Sequence, residues 1–281
     1  MKIYKSETGA RLLRERYLEA LTSWPVPHDE VRVPTPEGET FVLVSGPESA
    51  PPLVLLHGSG SNSAEWAPRL PSLAERFRVY AVDIIGEPGL SAETRPPLDS
   101  DRYAHWLDAV LDHFGVARAA FLTSSFGGWL ALDHAIRRPE RVAALALRCP
   151  IGLGPMKKGF VVKAVFLALL GEKGRRKSVA GTLGEPAASP IVEHQLLVSA
   201  NYRYRTGPFP VFDDAALQRL AMPVYAVVGA EDAMVDSATT KRRLEAAGAR
   251  VDLVPGTGHS LPDSADLEFL TDASANGDFT A

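Results

Sequence analysis

Leu122-Thr123-Ser124-Ser125-Phe126-Gly127-Gly128-Trp129 joins two segments of different character. Before it, Ala119 to Thr123 is a short apolar run that reads as a strand. After it, Phe126 to Arg137 reads as a helix stopped near Pro139. A serine in such a strand-to-helix turn is pushed out of the sheet with its hydroxyl exposed, on a tight bend that needs small neighbours. Gly127, two residues after Ser125, supplies that smallness. With Ser124 as the exposed residue, Phe126 would fill the position that needs a small side chain. Ser125 is therefore the candidate nucleophile and Ser124 its rival. The plain alternative is a serine that caps the helix N-terminus.

Outward from this turn the chain alternates regularly. Pro51-Pro52 precedes the unbroken apolar run Leu53 to Leu56, the pattern of a strand buried on both faces. A Gly/Ser loop over 58–63 leads into a helix around residues 64–76, then a strand from Val79 to Ile84. Arg102 to Phe114 reads as a helix and Val142 to Leu147 as a strand. The alternation breaks at Pro150 and resumes at Pro223. There Val224 to Val228 is a strand, Ser237 to Ala246 a helix, Val251 to Val254 a strand, and a helix follows Pro262. Such alternation predicts a parallel sheet with helices on both faces. Ahead of it stand two strands, Val31 to Pro34 and Phe41 to Val44, around the turn Pro36-Glu37-Gly38. A helix over 7–22 comes first, with Leu12, Leu13, Tyr17, Leu18 and Leu21 on one side, ended by Trp24-Pro25-Val26-Pro27. The final residues, DASANGDFTA, have little to bury and are expected to fray.

The domain reading follows. Residues 1–27 form a helical extension, 28–150 and 211–281 the core, and 151–210 an inserted cap or lid. The insertion carries nine Lys and Arg against three Glu, in a protein whose net charge is −4. The cap is expected over the C-terminal ends of the strands, where open α/β sheets bind ligands.

Composition narrows the classes. An apolar fraction of 46% and a charged fraction of 23% are ordinary for a soluble globular chain of 281 residues. The single cysteine, Cys149, excludes an internal disulfide framework and a multi-cysteine zinc site. The mild acidity gives no reason to expect nucleic-acid binding. The most apolar stretch, Phe160 to Leu170, is interrupted by Lys163 and is shorter than the roughly 20 residues that span a bilayer. The first residues lack a continuous apolar core of the secretory type, so the expected location is the cytoplasm.

A serine hydroxyl needs a base, oriented by a third group. The strand ending at Val228 runs into Gly229-Ala230-Glu231-Asp232. The strand ending at Val254 runs into Pro255-Gly256-Thr257-Gly258-His259-Ser260. A carboxylate and an imidazole on successive strand ends can converge on a serine from an earlier strand end. Spacing after Gly229 favours Asp232 over Glu231 and Asp236. The strand before the insertion ends Arg148-Cys149-Pro150, with no carboxylate. Acyl transfer also needs donors for the developing oxyanion. The backbone N–H of Phe126, after the nucleophile, is one. The N–H of Ser59, in His57-Gly58-Ser59-Gly60, is the other candidate. His57 and Asp83 read as structural.

These motifs together resemble the α/β-hydrolase superfamily across residues from about 30 to 272. They are HGSG at 57–60, DIIGEPGLS at 83–91, SSFGGWLAL at 124–132, GAED at 229–232 and GTGHS at 256–260. Trp24-Pro25-Val26-Pro27 and SGPESAPPLVLLHG at 45–58 carry a closer likeness to bacterial carboxylesterase-like members. The resemblance implies a mostly parallel eight-stranded sheet flanked by helices, a helical cap, and ester hydrolysis without metal or organic cofactor. Two departures stand out. Thr123 occupies the place of the first glycine of G-x-S-x-G. Glu87-Pro88 interrupts the usual D-x-x-G-x-G-x-S pattern, which reads as loop variation.

A dinucleotide-binding reading of Gly58-Ser59-Gly60 leaves Ser125, Asp232 and His259 unexplained. A rival within the fold is a small-molecule receptor, a C–C bond hydrolase or a non-hydrolytic biosynthetic enzyme. The expected substrate is a small to medium apolar ester, thioester or lactone. Trp66, Trp129, Phe160 and Phe166 are candidate pocket residues. Lys173 to Lys177 could attract an anionic substrate or an acidic carrier protein.

Overall fold

Pro36 and Glu37 reverse the chain between β1 (His28–Thr35) and β2 (Gly38–Ser45), which pair antiparallel along their whole length. The turn requires a positive φ at its end, and Gly38 supplies it at 108°. This is the computed structural model of the chain; it describes residues 2–157, 159, 166–167, 169–262 and 265–277.

The remaining strands are β3 (Pro52–Leu56), β4 (Arg78–Val82), β5 (Ala119–Ser124), β6 (Val142–Arg148), β7 (Val224–Gly229) and β8 (Arg250–Val254). All eight form one sheet in the order β1-β2-β4-β3-β5-β6-β7-β8. From β4 to β8 every neighbouring pair is parallel, while β1–β2 and β2–β4 are antiparallel. The apolar runs split with period two. Leu53, Leu55, Ala120, Leu122, Ala144 and Ala146 pack on one face with Tyr17, Trp66, Leu70 and Leu270. Val54, Leu56, Phe121, Leu145 and Leu147 pack on the other with Trp106, Leu130 and Leu244. Both faces being covered explains why these strands read as continuous hydrophobic runs.

Helices α1 (Glu7–Thr22), α2 (Leu70–Ala74), α3 (Arg102–His113) and α4 (Phe126–Arg137) precede the insertion. Ser6 caps α1 through its hydroxyl and Gly9 N–H at 3.0 Å, and Leu13, Tyr17 and Leu21 are buried. Leu18, expected on the same side, is exposed. The single helix expected over 64–76 is instead a 3₁₀ segment, Ser63–Arg69, followed by the short α2. Pro68 and Pro71 remove donors from its middle, which forces the break.

Between β6 and β7 lie α5 (Gly171–Leu183), α6 (Pro190–Asn201) and the short α7 (Asp214–Leu217). Gly184 ends α5 in the left-handed conformation, and Ser189 caps α6 ahead of Pro190. Arg176 of α5 pairs with Glu193 of α6. The chain's start is bonded to this segment: Lys5 N–H donates to Asn201 O and Arg203 N–H to Ile3 O, both at 2.8 Å. Ile3, Tyr4, Leu13, Val198 and Tyr202 form a small cluster of their own there.

The core closes with α8 (Ser237–Ala246) and α9 (Asp266–Ala275). Residues 272–275, expected to fray, instead belong to α9, whose Leu270 and Ala273 are buried, while 278–281 lie outside the described residues.

Candidate active site

Ser125 sits between β5 and α4 with φ 48° and ψ −106°, a conformation that L-residues seldom adopt. Its surroundings hold it there. Its N–H donates to Arg148 O at 2.9 Å, and Gly127 N–H donates to His57 O at 3.2 Å. A Cβ on Gly127 would stand 2.2 Å from Leu56 O, so only glycine fits. A Cβ on Gly128 would crowd Pro150 Cβ at 3.0 Å and reach ordinary contact with Thr123 Oγ1 at 3.4 Å. Ser124 is the last residue of β5, in register with Arg148, and its backbone is ordinary. The strained turn belongs to Ser125. Its side chain makes no capping bond to α4, so the capping alternative has no support.

Asp232 lies just past β7 and His259 just past β8. His259 Nδ1 is 2.6 Å from Asp232 Oδ2. The other carboxylate oxygen accepts from Met234 N–H at 2.7 Å and Val235 N–H at 3.1 Å, which fixes the carboxylate plane. Burial opposes ionisation of Asp232, but its bond to His259 and these two amides outweigh burial and lower its pKa. For His259, burial opposes the charged form. The Asp232 bond and the Cys149 thiol beside the ring outweigh it, and the imidazole pKa is raised. The competing acids do other work. Asp236 caps α8 through Thr239 N–H at 3.1 Å, and Glu231 is exposed. Ser125 and His259 follow strands on the same edge of the sheet, β5 and β8, with β6 and β7 between them, and among the described residues their side chains are not hydrogen-bonded to each other.

The loop after β3 faces the serine. A Cβ on Gly58 would lie 3.6 Å from Ser125 Cβ. Gly58 N–H donates to Glu65 Oε2 at 3.0 Å, and Gly60 N–H to Glu87 Oε2 at 2.6 Å. Among the described residues the N–H groups of Ser59 and Phe126 donate to nothing. Both nitrogens of His57 are engaged: Nδ1 lies 2.8 Å from Gly58 O, and Nε2 accepts from Ile84 N–H at 2.9 Å. It shapes the turn and is not free to act as a base. Asp83 accepts from Ser63 N–H, Ser63 Oγ, Tyr17 Oη and Leu90 N–H at 2.7 to 2.9 Å, a structural role.

The alpha/beta hydrolase family matches residues 53–273. The chain belongs to that family. It is 30% identical over 268 residues to "Uncharacterized carboxylesterase nap" of Bacillus subtilis (strain 168), covering 91% of this chain and 88% of that protein. It is 28% identical over 281 residues to carboxylesterase YbfK of the same organism, covering 93% and 91%. The crystal structure of naproxen esterase (carboxylesterase NP) from B. subtilis superposes with a TM-score of 0.79 at 26% identity, covering 97% of this chain and 98% of that one. The protein is a carboxylesterase-like α/β hydrolase, an enzyme of the esterase type.

Within this hydrolase three of the pocket expectations need correction. Trp66 is 2% exposed and packs under the sheet with Tyr17 and Phe41. Trp129 is 1% exposed, stacks on Phe212 and donates to Pro210 O at 2.9 Å. Both are core residues, because α4 and the 3₁₀ segment turn these faces inward. Phe166 is 62% exposed and faces solvent, and Phe160 lies outside the described residues. Of the basic run, Arg176 is spent on Glu193, while Lys173, Arg175 and Lys177 are exposed.

Sequence reasoning missed two neighbours of the site. Cys149, at φ 42°, is buried with its thiol beside His259. Among the described residues, the one group whose donor atoms could hold a metal is Cys149, Asp232 and His259, all within 4.8 Å. Two of the three are already hydrogen-bonded to each other, as an acid–base pair is. The other neighbour is Glu87, buried under the Gly58–Gly60 loop. No helix among the described residues is long and apolar enough to cross a membrane.

Proposed function

We propose that this hydrolase cleaves a carboxylic ester, thioester or lactone of a small to medium apolar substrate through an acyl-enzyme on Ser125. The observation that carries the reading is the pair of undonated amides, Ser59 and Phe126, beside a strained serine at the strand ends that also hold the His259–Asp232 pair. His259 takes the Ser125 proton as Oγ attacks the carbonyl carbon. The carbonyl oxygen gains negative charge between the Ser59 and Phe126 N–H groups, each donor worth about 3 to 4 kcal/mol in such sites. Collapse breaks the bond to the leaving alcohol or thiol, which takes the proton from the imidazolium. Water, deprotonated by His259, then attacks the acyl-enzyme and frees the acid and Ser125. Asp232 keeps the imidazole in the tautomer that presents Nε2 to the serine and balances its charge. The Ser125–His259 contact forms with substrate, as such bonds commonly tighten in the Michaelis complex.

The segment 151–210 acts in this reading as the cap. Leu169, Leu170, Ile191 and Tyr204 on it are exposed apolar or aromatic side chains, which favours an apolar substrate. The test is a panel of p-nitrophenyl esters from acetate to octanoate. Ser125→Ala, correctly folded, is expected to lose about 10⁴- to 10⁶-fold in kcat. Full esterase activity in that variant would overturn the assignment.

A further inference from the structure

Glu87 is 1% exposed, and the motif gave no reason for a carboxylate there. One oxygen, Oε2, accepts three hydrogen bonds: from Gly60 N–H at 2.6 Å, from the Tyr202 hydroxyl at 2.7 Å and from the Ser59 hydroxyl at 3.2 Å. The other oxygen, Oε1, has no hydrogen-bond partner among the described residues. A buried carboxylate with one oxygen unsatisfied costs stability, and an apolar side chain would fill the same space without that cost. Groups of this kind persist mainly where function needs them.

The placement says what the function is. Gly58 N–H is tied to Glu65 and Gly60 N–H to Glu87, so the amides on both sides of Ser59 are fixed and the one between them is left undonated. The Gly58 carbonyl, which shares a peptide plane with the Ser59 N–H, accepts from Ser61 N–H at 3.2 Å and lies 2.8 Å from His57 Nδ1, so with Gly60 held by Glu87 the Ser59 N–H has little freedom of direction. From above, Tyr204 closes on the same loop: a Cβ on Gly60, at φ 74°, would stand 2.6 Å from Tyr204 Cε1. Arg95 balances the buried charge from one residue away. Its Nη2 donates to the Tyr202 hydroxyl at 2.6 Å, and its guanidinium lies 5.1 Å over the Tyr202 ring. Tyr202 stands at the end of α6, so the chain Arg95–Tyr202–Glu87–Gly60 links the inserted segment to the loop facing Ser125.

We propose that Glu87 is a positioning residue that holds Gly60 so that the Ser59 N–H points at the developing oxyanion, and that it makes this alignment depend on Tyr202 of the inserted segment. The inference rests on the reading of Ser59 as an oxyanion donor. The carboxylate acts as a hydrogen-bond acceptor, so a neutral acceptor of the same length should largely replace it.

The experiment compares wild type, Glu87→Gln, Glu87→Leu and Tyr202→Phe. It measures kcat and KM for p-nitrophenyl butyrate, and the inhibition constant of butylboronic acid, whose serine adduct mimics the tetrahedral intermediate. Outright loss of one oxyanion donor costs about 10²- to 10³-fold in kcat, so misdirecting it in Glu87→Leu should cost about 30- to 300-fold. KM should stay within about threefold while the boronate weakens in step with kcat, because uniform binding is untouched. Glu87→Gln should recover to within about fivefold of wild type, and Tyr202→Phe should lose about three- to tenfold in both readouts. Glu87→Leu with wild-type kcat and boronate affinity would overturn the proposal. So would Glu87→Gln as impaired as Glu87→Leu. If Glu87→Leu does not fold, wild-type values of both readouts in Tyr202→Phe would overturn it. A wild-type enzyme that neither hydrolyses the ester nor binds the boronate would instead remove the serine-hydrolase reading beneath it.

Discussion

A Cβ built on Gly184 would stand 2.7 Å from the Cα of Gly258, and one built on Gly258 would stand 2.7 Å from the Cα of Gly184. The end of α5 and the histidine loop meet backbone to backbone. Ser260 N–H seals the contact on Leu183 O at 2.9 Å, and Ser260 Oγ on Glu185 Oε1 at 2.9 Å. With Tyr202 and Tyr204 on the Gly58–Gly60 loop and its neighbour Glu87, the inserted segment grips both loops that flank Ser125.

Gly184→Ala should therefore damage turnover more than stability. Its φ of 75° strains any side chain, and the added methyl pushes on Gly258, next to His259. A displacement near 1 Å at a catalytic group can cost about 100-fold. We expect kcat to fall about 10- to 100-fold, with folding stability lowered by about 1 to 3 kcal/mol. Steady-state kinetics beside urea denaturation checks this. Unchanged kcat would show that the contact does not position His259.

In the proposed mechanism the pH profile is set by His259 acting as the base. Its protonated ring cannot take the Ser125 proton, so kcat/KM falls as pH drops through the folded-state imidazole pKa. That pKa is raised above the usual 6.5 by Asp232 and Cys149. The activity midpoint should thus lie above 6.5, with the plateau on the alkaline side. Removing a raising cause must move it down. Cys149→Ala should shift the limb to lower pH with the plateau rate within a few-fold. Asp232→Asn should shift it down as well and lower kcat by about 10⁴ through the wrong tautomer. A limb unmoved by Asp232→Asn would assign it to another group.

The elbow predicts a packing cost. Alanine at Gly127 places a methyl 2.2 Å from Leu56 O, a backbone atom that cannot swing aside. Overpacking of this kind costs about 1 to 3 kcal/mol and occasionally more, and here the upper end applies. Gly128→Ala meets the Pro150 ring at 3.0 Å and should cost less. Chemical denaturation of both variants measures the order, and equal stability of Gly127→Ala and wild type would refute the tight turn.

Much of this was legible in the sequence because strand ends are legible. The runs ending at Leu56, Thr123 and Val228 are buried on both faces and the edge strand ending at Val254 buries Val251, so their ends fix where His57, Ser125, Asp232 and His259 emerge. The spacing after Gly229 points to Asp232, and in the structure Asp232 is the carboxylate bonded to the imidazole while Asp236 caps α8. Side-chain direction was not legible. Trp66 and Trp129 stand near the site in sequence, yet their helices turn them into the core. Glu87 read as loop variation because its partners Gly60 and Tyr202 lie 27 and 115 residues away, a relation only the folded chain shows. Cys149 was invisible for the same reason, since its contact with His259 spans two crossovers of the sheet.

The most direct test of the central claim is labelling of the folded protein with a fluorophosphonate, read by peptide mass spectrometry. The account predicts one modified peptide, containing Ser124 and Ser125, with the label abolished in Ser125→Ala and retained in Ser124→Ala. Absence of label on folded wild type, or label that survives Ser125→Ala, would contradict it.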